Sequence, residues 1–457
     1  MAVWSEVQLN EARDAERFDA EYWKPEFINN ANRLSELKCA RIADISKSVR
    51  SGPFGSNLLC EHYVPRGVAV IRPFNLKDFT VSRNQIAYIP EEMCAGSGLT
   101  YYQEGDVMIA RVGDVRAGII RRMDTKVTIS PNVIAVRLKK TAISPYYLAA
   151  FLNSHPGMVQ MLRGVKTVAQ PTITTDLVRS ILVPELAEHQ VAKIEQKVKA
   201  AFNKADVAHV LYTEAEELLE SVLGLNQLDL TPQLFYKQNY GDVQSAARLD
   251  AEYFQPPKKA VLNALSKMPG QRLLDQFRSI RQLWQPDRAG AYDLVRNYDL
   301  TDALQPFLDE TVEPATRDTI ASTKKKLRPG DLVVSRLRSY LKEIAVVLDS
   351  DLVPLVGSTE FIVLRPQKGA ISVEALLVYL RSRYVQTVLK WCQDGSNHPR
   401  FHEDELMNLW IPEVVRDNQK AITEKAQSSI DARREARYLL DEAKAMVEQA
   451  ILGEKGI

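Results

Sequence analysis

Two stretches of this chain place an apolar or small residue at alternating steps of three and four. The first runs through Val191, Ile194, Val198, Ala201, Ala205, Ala208, Tyr212, Ala215, Leu219 and Val222. The second runs through Ile422, Ala426, Ser429, Arg433, Ala436, Leu440, Ala443, Val447 and Ala450, with Arg433 as its one break. Such spacing, sustained over about five heptads, predicts long helices with a narrow packing seam. At a rise of about 1.5 Å per residue, some 35 residues give a helix roughly 50 Å long. Alanine recurs in both seams, which allows close approach, and a whole globular segment lies between them. The expectation is an antiparallel helical coiled-coil pair; the plainer alternative is that each helix covers its own domain.

The rest of the chain has a different rhythm. The runs GDVMIARV (Gly105 to Val112) and DLVVSRL (Asp331 to Leu337) are short, dense in Val, Ile and Leu, and open on a Gly-Asp turn, which predicts strands. NVIAVRL (Asn132 to Leu138) and FIVLRP (Phe361 to Pro366) are of the same kind. YYLAAFLNS (Tyr146 to Ser154) and the run that follows Glu374 return to helical spacing.

These paired readings are one reading made twice. RFDAEYWKP begins at Arg17 and RLDAEYFQP at Arg248; six of nine positions are identical, and Trp23 faces Phe254. The segments that follow match in order. VIRPFNL from Val70 answers LVRNYDL from Leu294, and SPNVIAVRL from Ser130 answers STEFIVLRP from Ser358. AQPTI from Ala169 lies opposite NHPRF from Asn397, and ILVPE from Ile181 opposite LWIPE from Leu409. The fold class expected is therefore α+β: two tandem α/β repeats separated by a long antiparallel helical pair. The segments are 1–185 (first unit), 186–225 (central helix), 226–268 (connector with the repeated DAEY), 269–412 (second unit) and 413–457 (last helix). The period is far too long for a solenoid.

Composition, 45% hydrophobic and 26% charged, is that of a globular protein. No run reaches the roughly 18 to 20 apolar residues that span a bilayer, and the first residues carry no apolar h-region. A cytoplasmic location without membrane contact is expected. Cys39, Cys60, Cys94 and Cys392 never approach CxxC spacing, which argues against a zinc site and a disulfide framework. Net charge is +1, so any nucleic-acid contact must come from local patches.

The order DAEY, GPFGS, the GD strand, QPTI and then a helix after VPE, written twice, resembles the specificity subunit of Type I restriction–modification systems across nearly the whole chain. The resemblance implies two target recognition domains that each read half of a split double-stranded DNA site. It implies paired helices that act as a ruler and dock two methyltransferase subunits, joined by two restriction subunits where restriction accompanies modification, in phage defence. It also implies no cofactor on this chain, with S-adenosylmethionine, ATP and Mg carried by the partner subunits. The second copy departs from the pattern: GPFGS is replaced by RSIRQLWQPDRAG (Arg278 to Gly290), and QPT by HPR.

Candidate DNA contacts follow from residue chemistry. Arg50 and Asn57 flank the glycines of VRSGPFGSNL, which permit close backbone approach; a plain surface turn is the alternative. Arg111 and Arg336 follow the GD strands, with Arg116 and Arg338 nearby. A guanidinium fork suits guanine O6 and N7, and the rival reading pairs each strand arginine with a carboxylate of its own domain. Arg281 lies in the segment that replaces GPFGS. Lys166, Thr167, Gln170 and Thr172 form a polar loop matched by Asn397, His398 and Arg400; Gln and Asn can bond adenine bidentately. Lys324 to Arg328, KKKLR, is either a solvated charge run or a phosphate contact. DAEY reads as structural, since Tyr22 and Tyr253 each have a ring to bury and a hydroxyl to satisfy. Partner or helix packing is assigned to Val191, Ile194, Val198, Ala201, Ala205, Ala208, Leu219, Ile422, Ala426, Ala436, Leu440 and Ala443.

Catalytic motifs do not emerge. There is no Asn-Pro-Pro-aromatic element, no GxxxxGK[ST], and no HxH or HExxH pairing; AGSGL from Ala95 follows no convincing strand. Glu-x-Lys triplets occur at Glu36, Glu195 and Glu442, two of them on the long helices. The expectation is a non-enzymatic DNA reader. The alternatives are a protein-binding scaffold with two heads, and, less favoured, a stand-alone nuclease or methyltransferase.

Overall fold

The computed structural model describes residues 4–53, 60–77, 79–83, 85–94, 99–121, 123–140, 143–165, 172–288, 292–348 and 353–452. The chain divides into two compact units, residues 1–204 with 435–457, and residues 205–434. Both are α+β.

Among the described residues of the first unit, one sheet has the spatial order Ser46–Ser51, Val133–Leu138, Val107–Ala110, Ala117–Ile119, Phe79–Val81, Leu76–Lys77. A second sheet orders Ala87–Ile89, Val68–Ile71 and Val127–Ile129, the last two parallel. The helix Pro145–Asn153 is buried from Tyr147 onward and starts at Ser144, whose hydroxyl accepts from the N–H of Tyr146. Its neighbour His155–Arg163 follows directly. Cys39–Arg41 pairs antiparallel with Leu182–Pro184 and so ties the start of the unit to its end.

The second unit repeats this wiring. Phe277–Ile280 pairs with Phe361–Pro366, which pairs with Leu332–Ser335, which pairs with Ile344–Val346, all antiparallel. Leu294–Tyr298 and Leu355–Gly357 form the parallel pair, and Gly270–Arg272 with Trp410–Pro412 closes the unit. The helices Val373–Arg381 and Arg383–Cys392 begin at Ser372 and Ser382, whose hydroxyls cap them.

The twice-written Gly-Asp has a local reason. Gly105 and Gly330 sit in the left-handed region, at φ +89° and +81°, where a side chain is strained. Asp106 and Asp331 are buried and each takes a guanidinium from the neighbouring strand. Arg137 Nη2 is 2.6 Å from Asp106 and Arg365 Nε is 2.7 Å from Asp331. Each carboxylate also accepts a backbone N–H at 2.9 Å, from Gln103 and Arg328. A buried charge persists only when paired and hydrogen-bonded in this way.

The long helices are Glu188–Leu223 and Gln419–Leu452. Within the first unit Ile194, Val198 and Phe202 share a core with Ala443, Val447 and Ile451, and Lys197 and Lys204 pair with Glu442 and Glu435 at 2.8 and 2.6 Å. Within the second unit Tyr212, Ala215 and Leu219 pack with Ile422, Ala426 and Ile430; Ser429 Oγ donates to the Ala208 carbonyl at 2.6 Å, and Lys425 pairs with Glu214. Rising numbers on one helix meet falling numbers on the other, so the packing is antiparallel in each unit. Ala201, Ala208, Leu219, Ala436 and Ala443 are buried, while Val191, Ala205 and Leu440 are half-buried. Phe202, Leu223, Ile430 and Ile451 are buried although the heptad reading passed them over. Arg433 is mostly buried, donates to Gln305 Oε1 at 3.1 Å, and has its charge disfavoured by burial.

The repeated phrase is a structural knot. Arg17 bonds Asp19 at 2.6 Å and lies 4.4 Å over the Tyr22 ring; Arg248 bonds Asp250 and lies 4.3 Å over the Tyr253 ring. Tyr22 meets Trp23, and Tyr253 meets Phe254, edge to face.

Candidate nucleic-acid interface

The strand after each Gly-Asp turn ends at an arginine, and both units hold that end by the same backbone bonds. Arg111 N–H donates to the Asn132 carbonyl at 2.9 Å, and its carbonyl accepts from Ile173 at 2.8 Å. Arg336 N–H donates to the Glu360 carbonyl at 3.2 Å, and its carbonyl accepts from Phe401 at 3.1 Å. The next residues form equivalent bridges, Val112 with Thr172 and Leu337 with Arg400. In each unit, then, the strand arginine lies beside matched residues, Thr172 and Ile173 in the first and Arg400 and Phe401 in the second.

The second unit is described most completely. The Glu360 carboxylate lies between two arginines: Arg336 Nε reaches Oε2 at 2.8 Å, and Arg400 reaches Oε1 through Nη2 at 2.9 Å and Nε at 3.1 Å. Burial opposes ionisation of Glu360, but the hydrogen bonds from Arg400 and Arg336 outweigh it, and the carboxyl titrates below its usual range. Arg338, in the left-handed region at φ 48°, bonds the Asn397 carbonyl at 3.2 Å and His398 Nδ1 at 3.1 Å. Arg281 meets Glu403 at 2.8 Å; there too burial is outweighed, chiefly by the Arg281 hydrogen bond, and Glu403 is held low. Arg336, Arg338, Asn397, His398 and Arg400 are thus brought into one cluster, and the arginines still present exposed surface. The reading that a strand arginine pairs with a carboxylate of its own domain holds for Arg336, and the clamp itself, Glu360, was missed. Its signal was available, since Glu360 stands opposite Asn132 when STEF is laid on SPNV.

In the first unit Arg50 is exposed on Ser46–Ser51, and Arg116 meets Asp114 at 3.2 Å. Thr172 bridges Val112 as above. Asn57, Lys166, Thr167 and Gln170 lie outside the described residues. Of the KKKLR run, Lys324 meets Asp299 at 3.4 Å, Lys325 is half-buried with its charge disfavoured by burial, and Lys326 and Arg328 are exposed. Arg278, exposed on Phe277–Ile280 opposite Arg365, adds positive charge beside Arg281 in an open groove that also contains Lys368.

No family model and no curated protein matches the sequence. Solved structures do. The HsdS subunit from Thermoanaerobacter tengcongensis shares 14% identity at a TM-score of 0.32, over 92% of this chain and 97% of that one. The Type I restriction–modification S subunit from M. genitalium shares 10% at 0.41, over 90% and 95%. A chain from a structure of Type I R-M complex assembly shares 15% at 0.30, over 92% and 98%. Among the described residues no helix is long and apolar enough to cross a membrane.

Proposed function

We propose that this chain is the DNA specificity subunit of a Type I restriction–modification complex. In this reading each unit reads one half of a bipartite duplex target, and the helices dock methyltransferase subunits. One observation carries it: the two units present an arginine-bearing strand end beside an equivalent loop, held by the same backbone bonds, yet dress that frame differently. The first has Arg111, Asn132 and Thr172 where the second has Arg336, Glu360 and Arg400. A frame repeated with its polar groups exchanged suits two readers of different half-sites, because base discrimination comes from which donors and acceptors face the groove edge. The chemistry of methyl transfer and cleavage belongs to partner subunits.

The test is binding of the purified chain, with its methyltransferase partner, to duplexes carrying the methylated motif mapped in the source genome. Specific binding that weakens steeply with salt through counterion release is expected. Equal affinity for the mapped and the scrambled duplex at every salt concentration would leave the protein-binding scaffold as the better reading.

A further inference from the structure

Two readers of different half-sites need different contact loops, yet the phrase Arg-x-Asp-Ala-Glu-Tyr is the same in both units. Its side chains show what the units share. In the second unit Arg248 grips the end of the helix Arg383–Cys392: Nη1 donates to the Cys392 carbonyl at 3.0 Å and Nη2 to the Gln393 carbonyl at 3.1 Å. The last carbonyls of a helix have no partner within it, and a cation there also meets the negative end of the helix dipole. Asp250 takes the other edge of the guanidinium, at 2.8 Å on Nε and 2.6 Å on Nη2, and the Tyr253 ring lies 4.3 Å away. The Arg248 side chain is 17% exposed, too covered to serve a phosphate.

Gln393 immediately precedes the loop proposed to read bases. Asp394 and Arg400 exchange backbone hydrogen bonds, both at 2.9 Å, and close a turn over residues 395–399 that opens on Gly395, left-handed at φ 87°. Asn397 and His398 of that turn bond Arg338, and Arg400 bonds Glu360. The knot also holds the far side of the loop. The Tyr253 hydroxyl donates to Glu405 Oε1 at 2.8 Å, and Cys392 Sγ donates to Glu405 Oε2 at 3.3 Å. Glu405 is on the short helix Glu403–Met407 that follows the loop, and the same helix sends Glu403 to Arg281. In the first unit the contact runs the other way. Arg163, the last residue of the helix His155–Arg163, donates from Nε to the Tyr22 carbonyl at 3.2 Å and lies 4.3 Å over the Tyr22 ring; Lys166 follows three residues later in the chain.

We propose that Arg248 is a positioning residue for the second unit's contact loop. Resting on the function proposed above, it touches no base or phosphate itself. It fixes the helix end from which residues 394–400 start, and so the place at which Asn397, His398 and Arg400 meet a groove edge. Hydrogen bonds weaken steeply with misalignment, so a base-edge contact tolerates little displacement of the loop that carries it. The phrase is repeated because the anchor is common to both units while the contact residues change. Lysine cannot take its place, because an ammonium has no planar fork to bond a carboxylate on one edge and two carbonyls on the other.

The experiment compares the full wild-type chain with Arg248→Lys, each with its methyltransferase partner, on duplexes in which one half or the other of the mapped motif is scrambled. In the variant, discrimination at one half should fall roughly 10-fold, and at the other it should stay as in the wild type. The slope of log affinity against log salt should not change, since no phosphate contact is lost. Hydrogen–deuterium exchange on the free chain supplies a readout that does not involve DNA. The Asp394 and Arg400 amides should exchange faster, and those of the core strand Leu332–Ser335 at the wild-type rate. Faster exchange throughout the second unit, or discrimination lost at both halves, would make the role a general structural one and overturn the proposal. Unchanged discrimination, whatever the exchange, would overturn it and leave the specificity-subunit reading standing. A shallower salt slope would put Arg248 on a phosphate and overturn it too. A wild type that discriminates at neither half would overturn both readings.

Discussion

Glu360→Gln tests the interface at its most constrained point. The carboxylate serves two guanidiniums at once, Arg336 at 2.8 Å and Arg400 at 2.9 Å. It is held below the usual carboxylate range, because the hydrogen bonds from Arg400 and Arg336 outweigh the burial that opposes its charge. It is therefore ionised in any ordinary assay buffer, and the substitution removes one full negative charge while keeping a hydrogen-bond acceptor. If the cluster faces duplex DNA, one more phosphate can be neutralised. The slope of log affinity against log salt then steepens by about 0.9, so raising salt from about 50 to about 200 mM costs the variant roughly 3.5-fold more affinity than the wild type. The arginines also lose the clamp that orients them, so preference for the second unit's half-site should fall while the first half-site is read as before. Fluorescence anisotropy with target and half-scrambled duplexes over that salt range measures both quantities. An unchanged slope with unchanged discrimination would show that Arg336 and Arg400 do not face DNA. The sign of the pH effect follows. The folded-state value of Glu360 is depressed, so its stabilising contribution is present above the ordinary carboxylate range and is lost as pH falls through the depressed value. Acidification should therefore make the wild type resemble the variant.

Other outcomes are equally open to measurement. Arg365→Ala strands the Asp331 carboxylate, 1% exposed, with a backbone N–H as its remaining partner; denaturant unfolding should show a loss of about 3 kcal/mol, and a loss below about 1 would mean that the pair is not truly buried. Ser429→Leu forces a large side chain where Ser429 Oγ meets the Ala208 carbonyl at 2.6 Å, and should cost about 1–3 kcal/mol by overpacking, read as a lower melting temperature. Cys392 is buried, and burial pushes its thiol up to about 12; a disulfide reagent at pH 8 should modify it only after denaturant is added, and rapid labelling of the native chain would contradict the packing. Exchanging residues 40–185 for another recognition domain should alter one half of the methylated motif, and methylome sequencing that finds both halves changed would refute independent reading.

Much of this protein is written locally. A Gly-Asp before a β-branched run specifies a left-handed turn and a strand, a serine before an apolar 3-4 pattern specifies a capped helix, and a phrase repeated at a fixed offset specifies the same fold twice. These signals act over a few residues, so composition and order suffice to read them. The heptad seam was legible in outline only. An α-helix drifts by about 20° per heptad from a strict seven-residue repeat, which is why Phe202 and Ile430 are buried alongside the counted Ala201 and Ser429, and Ile451 is buried more deeply than the counted Ala450.

What the order of residues could not decide is which distant groups meet. Glu360 finds Arg336 across 24 residues and Arg400 across 40, and Asp331 finds Arg365 across 34. These meetings depend on where strands end and how sheets stack, and electrostatic energy depends on the resulting distance and burial. Nor could residue type alone tell that Phe18 and Leu249, apolar like the core, stand in water. Exposure is set by what the fold leaves uncovered, and among the described residues it leaves Trp4, Leu9 and Phe18 uncovered in one copy and their counterparts Phe235, Tyr240 and Leu249 in the other.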